Sequence, residues 1–225
     1  MRSIGGYCLV VLLAALSGCA TVVKMAPAKK SMAFDTSGQS VLLVSMTLAN
    51  TYHDSYQPEP LIVEVEKPDA TQRSDRLNVK VDRDALVEQA NGKHYLLRLP
   101  LAPGKYILRG VMGASGIFPV RGIFFLPLHY DIDVKPGTIE YFGHIAATVV
   151  ERKDGELRAG PIIPLIDQAV TGFSRGTWGV RIADAPPTDV AEFKTAFPAF
   201  QNVTIQSDIL PPWDKQKATL WWQEH

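Results

Sequence analysis

The sequence predicts a mainly β protein: an antiparallel β-sandwich followed by one short C-terminal helix and an irregular aromatic tail. Three observations lead to this fold class. Apolar and polar residues alternate with period two, as in Leu77–Asp82, which is typical of a half-buried strand. Segments of this kind recur about every 8 to 12 residues through the first two thirds of the chain. Turn-forming residues separate these segments, and the whole chain contains 16 prolines and 17 glycines.

The composition excludes two classes of protein. The chain has 225 residues, of which 46% are hydrophobic, and its 23 Lys and Arg balance its 23 Asp and Glu. A disordered chain has too few apolar residues to form a core, whereas this chain has enough of them. Because the net charge is zero, no overall field attracts nucleic acid, and we expect no nucleic-acid partner.

Residues 1–18 have the layout of a secretory signal peptide. One basic residue, Arg2, precedes an apolar run from Tyr7 to Leu16, and small residues follow it. The run is shorter than the roughly 20 residues that span a bilayer. A short membrane anchor or a buried helix is the alternative interpretation.

The sequence Leu-Ser-Gly-Cys at residues 16–19 resembles the lipobox of bacterial lipoproteins. The resemblance implies cleavage before Cys19, followed by acylation of its thiol and of its new amino group. Ala20 follows this cysteine instead of the Asp that is linked to inner-membrane retention, which favours the outer membrane in a Gram-negative bacterium. The other cysteine, Cys8, would leave with the signal peptide, so we expect no disulfide in the mature chain.

Residues 19–39 are predicted to be the lipidated cysteine and a tether to the folded domain. No sustained period is present between residues 20 and 39. Lys24, Lys29 and Lys30 either contact anionic lipid head groups or keep a solvated linker soluble.

The β-sandwich itself is predicted over residues 40–152. Apolar or alternating segments are separated by turn sequences such as Asn-Gly at 91–92 and Pro-Gly at 103–104 and 136–137. The predicted strands are Val41–Leu48, Leu61–Glu66, Leu77–Asp82, Tyr95–Leu99, Tyr106–Gly110, Ile117–Leu126, Tyr130–Val134 and Ile139–Glu151.

Three short sequences within this region resemble a known class of protein. They are Pro-Gly-Lys-Tyr at 103–106, Val-Lys-Pro-Gly at 134–137 and Tyr-Phe-Gly at 141–143. They are similar to sequences in envelope lipoproteins of unknown function, whose central module resembles the prealbumin-type sandwich of carboxypeptidase regulatory domains. The resemblance covers residues 40–152. It implies a fold and no activity, because such sandwiches have many roles.

Residues 153–225 are predicted to be an extension that packs on the sandwich. It contains a strand at Gly176–Ile182 and a helix near residues 189–197. Asp189 and Glu192 have the spacing of a capping box. An apolar stripe at positions 190, 193 and 197 follows, and a proline at 198 ends the helix.

Ser174 is the one candidate nucleophile with a motif. It lies in Gly-Phe-Ser-Arg-Gly at residues 172–176, which matches the Gly-x-Ser-x-Gly pattern of hydrolases. That pattern supports catalysis only on a sharp turn from a strand into a helix, whereas a predicted strand follows here. We therefore expect no catalytic residue and keep a periplasmic serine hydrolase using Ser174 as the alternative.

The histidines do not show the close spacing of a helical zinc site. His129 and Asp131 share one face of a predicted strand, where they either join a metal or acid–base site or form a solvent-facing polar row. His144 lies among aromatic residues and is interpreted as a hydrogen-bonded sheet histidine rather than a ligand. We expect no metal and no cofactor.

The tail contains three of the four tryptophans, Trp213, Trp221 and Trp222. Tryptophan is enriched at interaction surfaces, so these rings are candidates for partner binding. The alternatives are that they fold back to complete the core or lie at a membrane surface. We expect Trp213 to be buried and the other two to be partly exposed.

These features predict an outer-membrane-anchored periplasmic lipoprotein that acts as a non-enzymatic binding or structural module. Its expected partners are the membrane, through the lipid on Cys19, and an envelope protein or glycan.

Overall fold

The computed structural model describes residues 20–89, 92–116, 120–162, 168–184 and 186–224. The described residues form two β-sheets that pack face to face, and a helix covers the outer face of one of them. The predicted signal peptide and Cys19 lie outside the described residues. In the described part of the chain, no helix has the length and apolar character needed to cross a membrane.

The strands and helices follow one another in a simple order. The strands are β1 Thr21–Lys24, β2 Ser40–Asn50, β3 Glu59–Glu66, β4 Arg76–Lys80, β5 Leu86–Gln89, β6 Gly92–Leu101, β7 Gly104–Ser115, β8 Gly122–Val134, β9 Ile139–Glu151, β10 Gly176–Ala183 and β11 Gln206–Ser207. The α-helices are α1 Pro186–Ala196 and α2 Lys215–Glu224. Short 3-10 turns occur at Arg73–Asp75, Arg83–Ala85, Gln168–Thr171 and Pro198–Phe200.

Two sheets form the sandwich. Sheet A has the order β1-β4-β3-β7-β8, and sheet B has the order β10-β9-β2-β6-β5, with β11 also paired to β9. Most neighbours are antiparallel, whereas β1–β4, β2–β9 and β9–β11 are parallel. The predicted mainly β sandwich with a C-terminal helix is therefore confirmed, with these parallel pairs as an added feature.

The main core lies between the two sheets. Alternate residues of the long strands supply it, as Leu42, Val44 and Met46 of β2 do. Trp178 of β10 is buried in this core, where its indole Nε1 donates a hydrogen bond to the carbonyl oxygen of Phe125 at 2.9 Å. The aromatic ring thus fills the core while its polar atom is satisfied.

A second, smaller core lies on the outer face of sheet B. Val41 and Leu43 of β2 point away from the main core and pack beneath Phe193 of α1 and beneath Phe197 and Phe200, which follow the helix. The helical stripe predicted from the sequence is therefore confirmed. The helix itself begins at Pro186, three residues before the predicted start, because proline is well suited to a first helical turn.

Both sheets include strands outside residues 40–152, the range predicted for the sandwich. Thr21–Lys24, assigned to the tether, forms the edge strand of sheet A, and the next residue, Met25, is buried. A strand of four residues is too short to show a period, which is why the sequence did not reveal it. The strand β10, assigned to the C-terminal extension, is an integral part of sheet B beside β9.

The tail is helical rather than irregular over residues 215–224. This segment contains no glycine or proline, and the carboxylate of Asp214 accepts a hydrogen bond from the backbone N–H of Lys217 at 2.9 Å. An Asp at this position satisfies a backbone donor in the first turn, so Asp214 acts as the N-cap of α2.

Candidate functional site

The three tail tryptophans lie along β8, the edge strand of sheet A, where α2 packs. Trp213 donates a hydrogen bond from Nε1 to the carbonyl oxygen of Pro127 at 2.9 Å. Trp222 stacks on Phe125, with ring centroids 5.6 Å apart and an interplanar angle of 17°. All three tryptophans are half-buried, so Trp213 is less buried than predicted, whereas Trp221 and Trp222 are partly exposed as predicted.

Trp221 forms a surface with neighbouring side chains that we call the tail surface: Arg109, His129, Leu220 and Trp221. The guanidinium carbon of Arg109 lies 4.8 Å from the centroid of the Trp221 ring, and the His129 ring centroid lies 5.9 Å from it. Leu220, the preceding residue on α2, is 53% exposed. An ion pair between Lys217 and Asp131, at 2.9 Å, holds α2 in place beside this surface.

Of the two alternatives for His129 and Asp131, the structure fits the polar row. The two residues face away from the core, as the polar-row alternative requires, and Asp131 is bound by Lys217. Burial, aided by the nearby charge of Lys217, lowers the pKa of His129, so its imidazole is neutral at pH 7. Within the described residues, neither belongs to a group of three possible metal ligands.

Ser174 lies in the turn that leads into β10. Its carbonyl oxygen accepts a hydrogen bond from Arg158 at 2.5 Å. Among the described residues, no hydrogen bond joins its hydroxyl to a histidine or a carboxylate. The turn is followed by a strand, as predicted, so it lacks the strand-to-helix geometry of a nucleophile elbow.

A buried group of polar side chains lies between sheet B and the first turn of α1. We call it the polar cluster, and its centre is formed by Ser45 of β2, Tyr141 and His144 of β9, and Asp189 of α1. Tyr141 donates a hydrogen bond to Asp189 Oδ2 at 2.6 Å, Ser45 donates one to the same oxygen, and His144 Nδ1 lies 3.3 Å from it. Ser45 is 0% exposed and Asp189 is 5% exposed. A single carboxylate of the helix thus binds three side chains of the sheet.

The polar cluster extends to a second histidine. The Nδ1 atom of His94, in β6, lies 2.9 Å from the Glu192 carboxylate. The ring centroids of His94 and His144 are 5.2 Å apart. The hydroxyl of Thr47 lies 3.1 Å from His144 Nε2. Because Asp189 and Glu192 are three residues apart, they occupy one face of α1 and both reach the sheet.

The buried setting changes the acidities of the polar cluster. Burial alone would raise the pKa of Asp189, but hydrogen bonds from His144, Ser45 and Tyr141 outweigh it and lower the pKa to about 2. Burial, together with the bond to Asp189, raises the pKa of Tyr141. Burial also lowers the pKa of His94, against the opposing effect of Glu192. At pH 7, Asp189 is therefore charged while Tyr141 and His94 are neutral.

A β-bulge at Gly143 brings Tyr141 and His144 together. In a regular strand, residues three apart point to opposite faces of the sheet. Here Leu43 pairs with Tyr141 and Ser45 pairs with His144, so β9 has one extra residue at this point. Gly143 has a φ of +103°, a conformation that side-chain-bearing residues rarely adopt. Both side chains consequently face α1.

The residue types of the polar cluster include those of a catalytic triad, but their arrangement is different. In a triad, serine contacts one nitrogen of histidine and the carboxylate contacts the other. Here the hydroxyl of Ser45 contacts both Asp189 and His144 Nδ1, the latter at 3.1 Å. Ser45 also has no exposed surface for a substrate. The geometry suits a closed polar core or a bound cation better than acyl transfer.

Part of the polar cluster is predictable from the sequence, but two of its members have a role other than the predicted one. His144 is hydrogen-bonded within the sheet, as predicted. Asp189 and Glu192, interpreted as a capping box, lie inside α1 and bind the sheet instead. The two prolines at 186–187 carried the signal for the true start of the helix. Ser45 and His94 had no local signal that distinguished them from other polar strand residues.

A cleft of about 310 Å³ opens where β3 and β6 begin and β7 ends. Its lining includes Glu59 and Lys93, which form an ion pair, and Arg121. The hydroxyl of Ser115 is buried there and makes no hydrogen bond with a described residue. Charges of both signs together with this hydroxyl suit a polar ligand better than an apolar one.

Comparison with known proteins identifies no relative. No protein-family model matches the chain, and neither a curated protein nor a solved structure matches it. The resemblance of residues 40–152 to envelope lipoproteins, like the lipobox at residues 16–19, therefore stays a prediction from the sequence.

Proposed function

We propose that this protein is a lipid-anchored envelope protein that acts as a non-enzymatic binding module, held by Cys19 in the outer membrane and facing the periplasm. The observation that carries the proposal is the sequence Leu-Ser-Gly-Cys at residues 16–19 after an apolar run. Strand β1 begins at Thr21, two residues after the cysteine. Since a residue spans at most about 3.6 Å, a lipid on Cys19 would hold the edge of sheet A close to the membrane.

The strand order of sheet A supports a role for the tail surface in binding. β1 forms one edge of the sheet, and β8, which carries the tail surface, forms the other. Four strand spacings of about 4.8 Å separate these edges by roughly 19 Å. The anchor and the tail surface would therefore lie at opposite edges, which leaves the tail surface open to the periplasm.

The chemistry of the tail surface fits a protein or glycan partner. Trp221 and Arg109 are stacked, and Arg109 is also positioned by Glu66, 3.4 Å away, and Glu64, 3.8 Å away. Tryptophan and arginine held in place by neighbours lose little entropy on binding and are frequent in interaction hot spots. A role in binding is favoured over the hydrolase alternative because Ser174 has no hydrogen-bonded base among the described residues.

We expect the substitution Cys19→Ser to abolish incorporation of radiolabelled palmitate and to leave an uncleaved precursor, because the thiol is the site of acylation. Expression in a Gram-negative host, followed by gel analysis of the labelled membranes, measures both effects. Cys8→Ser is the matched control, since it removes the other cysteine within the signal peptide. Equal labelling of Cys19→Ser and the unmodified protein would refute the anchor.

We expect a photo-crosslinking amino acid at position 220 to yield a discrete crosslinked product in living cells. Leu220 is exposed beside Trp221, so a partner on the tail surface would lie within reach. The same probe at Val150, an exposed residue of sheet B, is the control for random capture.

The adjacent tryptophans provide a matched pair for the same experiment. Trp221→Ala should remove the crosslinked product and change the stability by less than about 1 kcal/mol, whereas Trp222→Ala should cost about 1–3 kcal/mol, because Trp222 also packs against the main core. A product that persists in Trp221→Ala, or that forms equally from position 150, would contradict binding at the tail surface.

A further inference from the structure

We propose that His94, His144 and Asp189 form a structural binding site for a divalent transition-metal ion of the zinc class, which fastens α1 to sheet B. This inference concerns the polar cluster and is independent of the lipid anchor and of the tail surface. It differs from the sequence-based expectation of no metal, because the sequence places the three residues far apart.

The spacing of the ligand atoms fits such an ion. One potential ligand atom from each of the three residues lies within 4.8 Å of the other two. In a tetrahedral zinc site with bonds of about 2.0–2.1 Å, ligand atoms lie about 3.3 Å apart. His144 Nδ1 and Asp189 Oδ2 are 3.3 Å apart and already meet this requirement. The remaining distances exceed this spacing by at most about 1.5 Å.

Each ligand has an outer contact that orients it. The Glu192 carboxylate binds His94 Nδ1 at 2.9 Å, which leaves Nε2 as the nitrogen that would bind the ion. Thr47 contacts His144 Nε2, and Tyr141 donates to Asp189. Contacts of this type fix the ring orientation and tautomer of ligating histidines.

The donor set selects the class of ion. Two imidazole nitrogens and one carboxylate oxygen suit zinc and related transition metals, whereas calcium and magnesium prefer sites made only of oxygen. The hydroxyl of Ser45, which contacts both Asp189 and His144, is placed for a fourth position.

The position of the site in the fold indicates a structural role. Its ligands come from β6, β9 and α1, so a bound ion would connect two strands of sheet B to the helix that covers them. Ser45 and Asp189 are buried, which leaves little room for a substrate. Closed sites of this kind stabilise the fold rather than catalyse a reaction.

Zinc titration of the full-length protein in detergent, after removal of metals with EDTA, tests the proposal. We expect one equivalent of Zn²⁺ to bind and to raise the melting temperature by roughly 5–10 °C at a free concentration of about 100 Kd. Co²⁺ should give the visible absorption of a four-coordinate site. Absence of both the shift and the cobalt absorption would overturn the proposal, and this measurement does not depend on any variant.

Variants then assign the ligands. His144→Gln and Asp189→Asn should each weaken zinc binding by at least about 100-fold, since loss of even an outer contact costs about 10–100-fold. His53→Gln is the matched control, because His53 is a half-buried histidine outside both the polar cluster and the tail surface, and this variant should bind zinc normally. If both cluster variants fold and bind zinc as tightly as the unmodified protein, the assignment is wrong.

Discussion

Replacing Trp178 with alanine is expected to lower the free energy of unfolding by about 3–5 kcal/mol, because it empties a large volume in the main core. Trp178 is the largest of the fully buried side chains and is 0% exposed. Its ring packs edge-on against Phe124 at 5.4 Å, and its indole nitrogen binds the carbonyl oxygen of Phe125. Alanine removes the packing and leaves that carbonyl without its donor. Urea unfolding followed by circular dichroism measures the loss.

Trp178→Phe separates the two contributions. It keeps an aromatic ring in the core and removes the indole N–H, so we expect a smaller loss, about 1–3 kcal/mol. If the free energy of unfolding of Trp178→Ala lies within about 1 kcal/mol of that of the unmodified protein, β10 does not pack in the main core as described.

Replacing Asp189 with alanine is expected to cost about 2–4 kcal/mol at pH 7 in EDTA. The carboxylate accepts hydrogen bonds from Ser45 and Tyr141 and contacts His144, all beneath α1. Without it, buried polar groups lose their acceptor, which costs about 1–3 kcal/mol for each group that finds no new partner. Chemical denaturation of both proteins measures the difference. An unchanged stability would mean that the polar cluster does not hold α1 to the sheet.

The contribution of Asp189 to stability depends on pH, and the lowered pKa of its carboxyl group determines whether that contribution rises or falls with pH. The folded-state pKa is lowered from 3.8 to about 2, so the ionised carboxylate stabilises the folded protein. This contribution, about 2 kcal/mol, is fully present above the unfolded-state pKa and is lost as pH falls from about 4 to about 2. We therefore expect the stability difference between the unmodified protein and Asp189→Ala to shrink over this interval. A difference that stays constant from pH 7 to pH 2 would contradict the lowered pKa.

The features that were predicted correctly from the sequence depend on local patterns. Period-two alternation marks β4, and the apolar stripe marks the face of α1 that packs on sheet B, because neighbouring residues alone determine these patterns. The helix α2 had a local signal too, an Asp ahead of ten residues without glycine or proline. Because of its three tryptophans, however, this segment was predicted to be an irregular tail.

The features that could not be predicted depend on contacts between distant residues. Strand β1 exists because Thr21 pairs beside Leu77, which no pattern within four residues reveals. The polar cluster requires β6, β9 and α1 to meet, and the bulge at Gly143 decides which side chains of β9 face the helix. Asp189 and Glu192 show how one spacing supports two interpretations, since residues three apart also share a helix face.

The mass of the mature protein tests the proposed function most directly. The full chain is expressed in a Gram-negative host, purified from its membranes and analysed by intact-mass and N-terminal peptide mass spectrometry. For a lipoprotein, we expect a chain that begins at Cys19 and carries a diacylglyceryl group on its thiol and an acyl group on its amino terminus. A chain that begins at Met1 or at any residue other than Cys19, or a Cys19 without lipid, would contradict it.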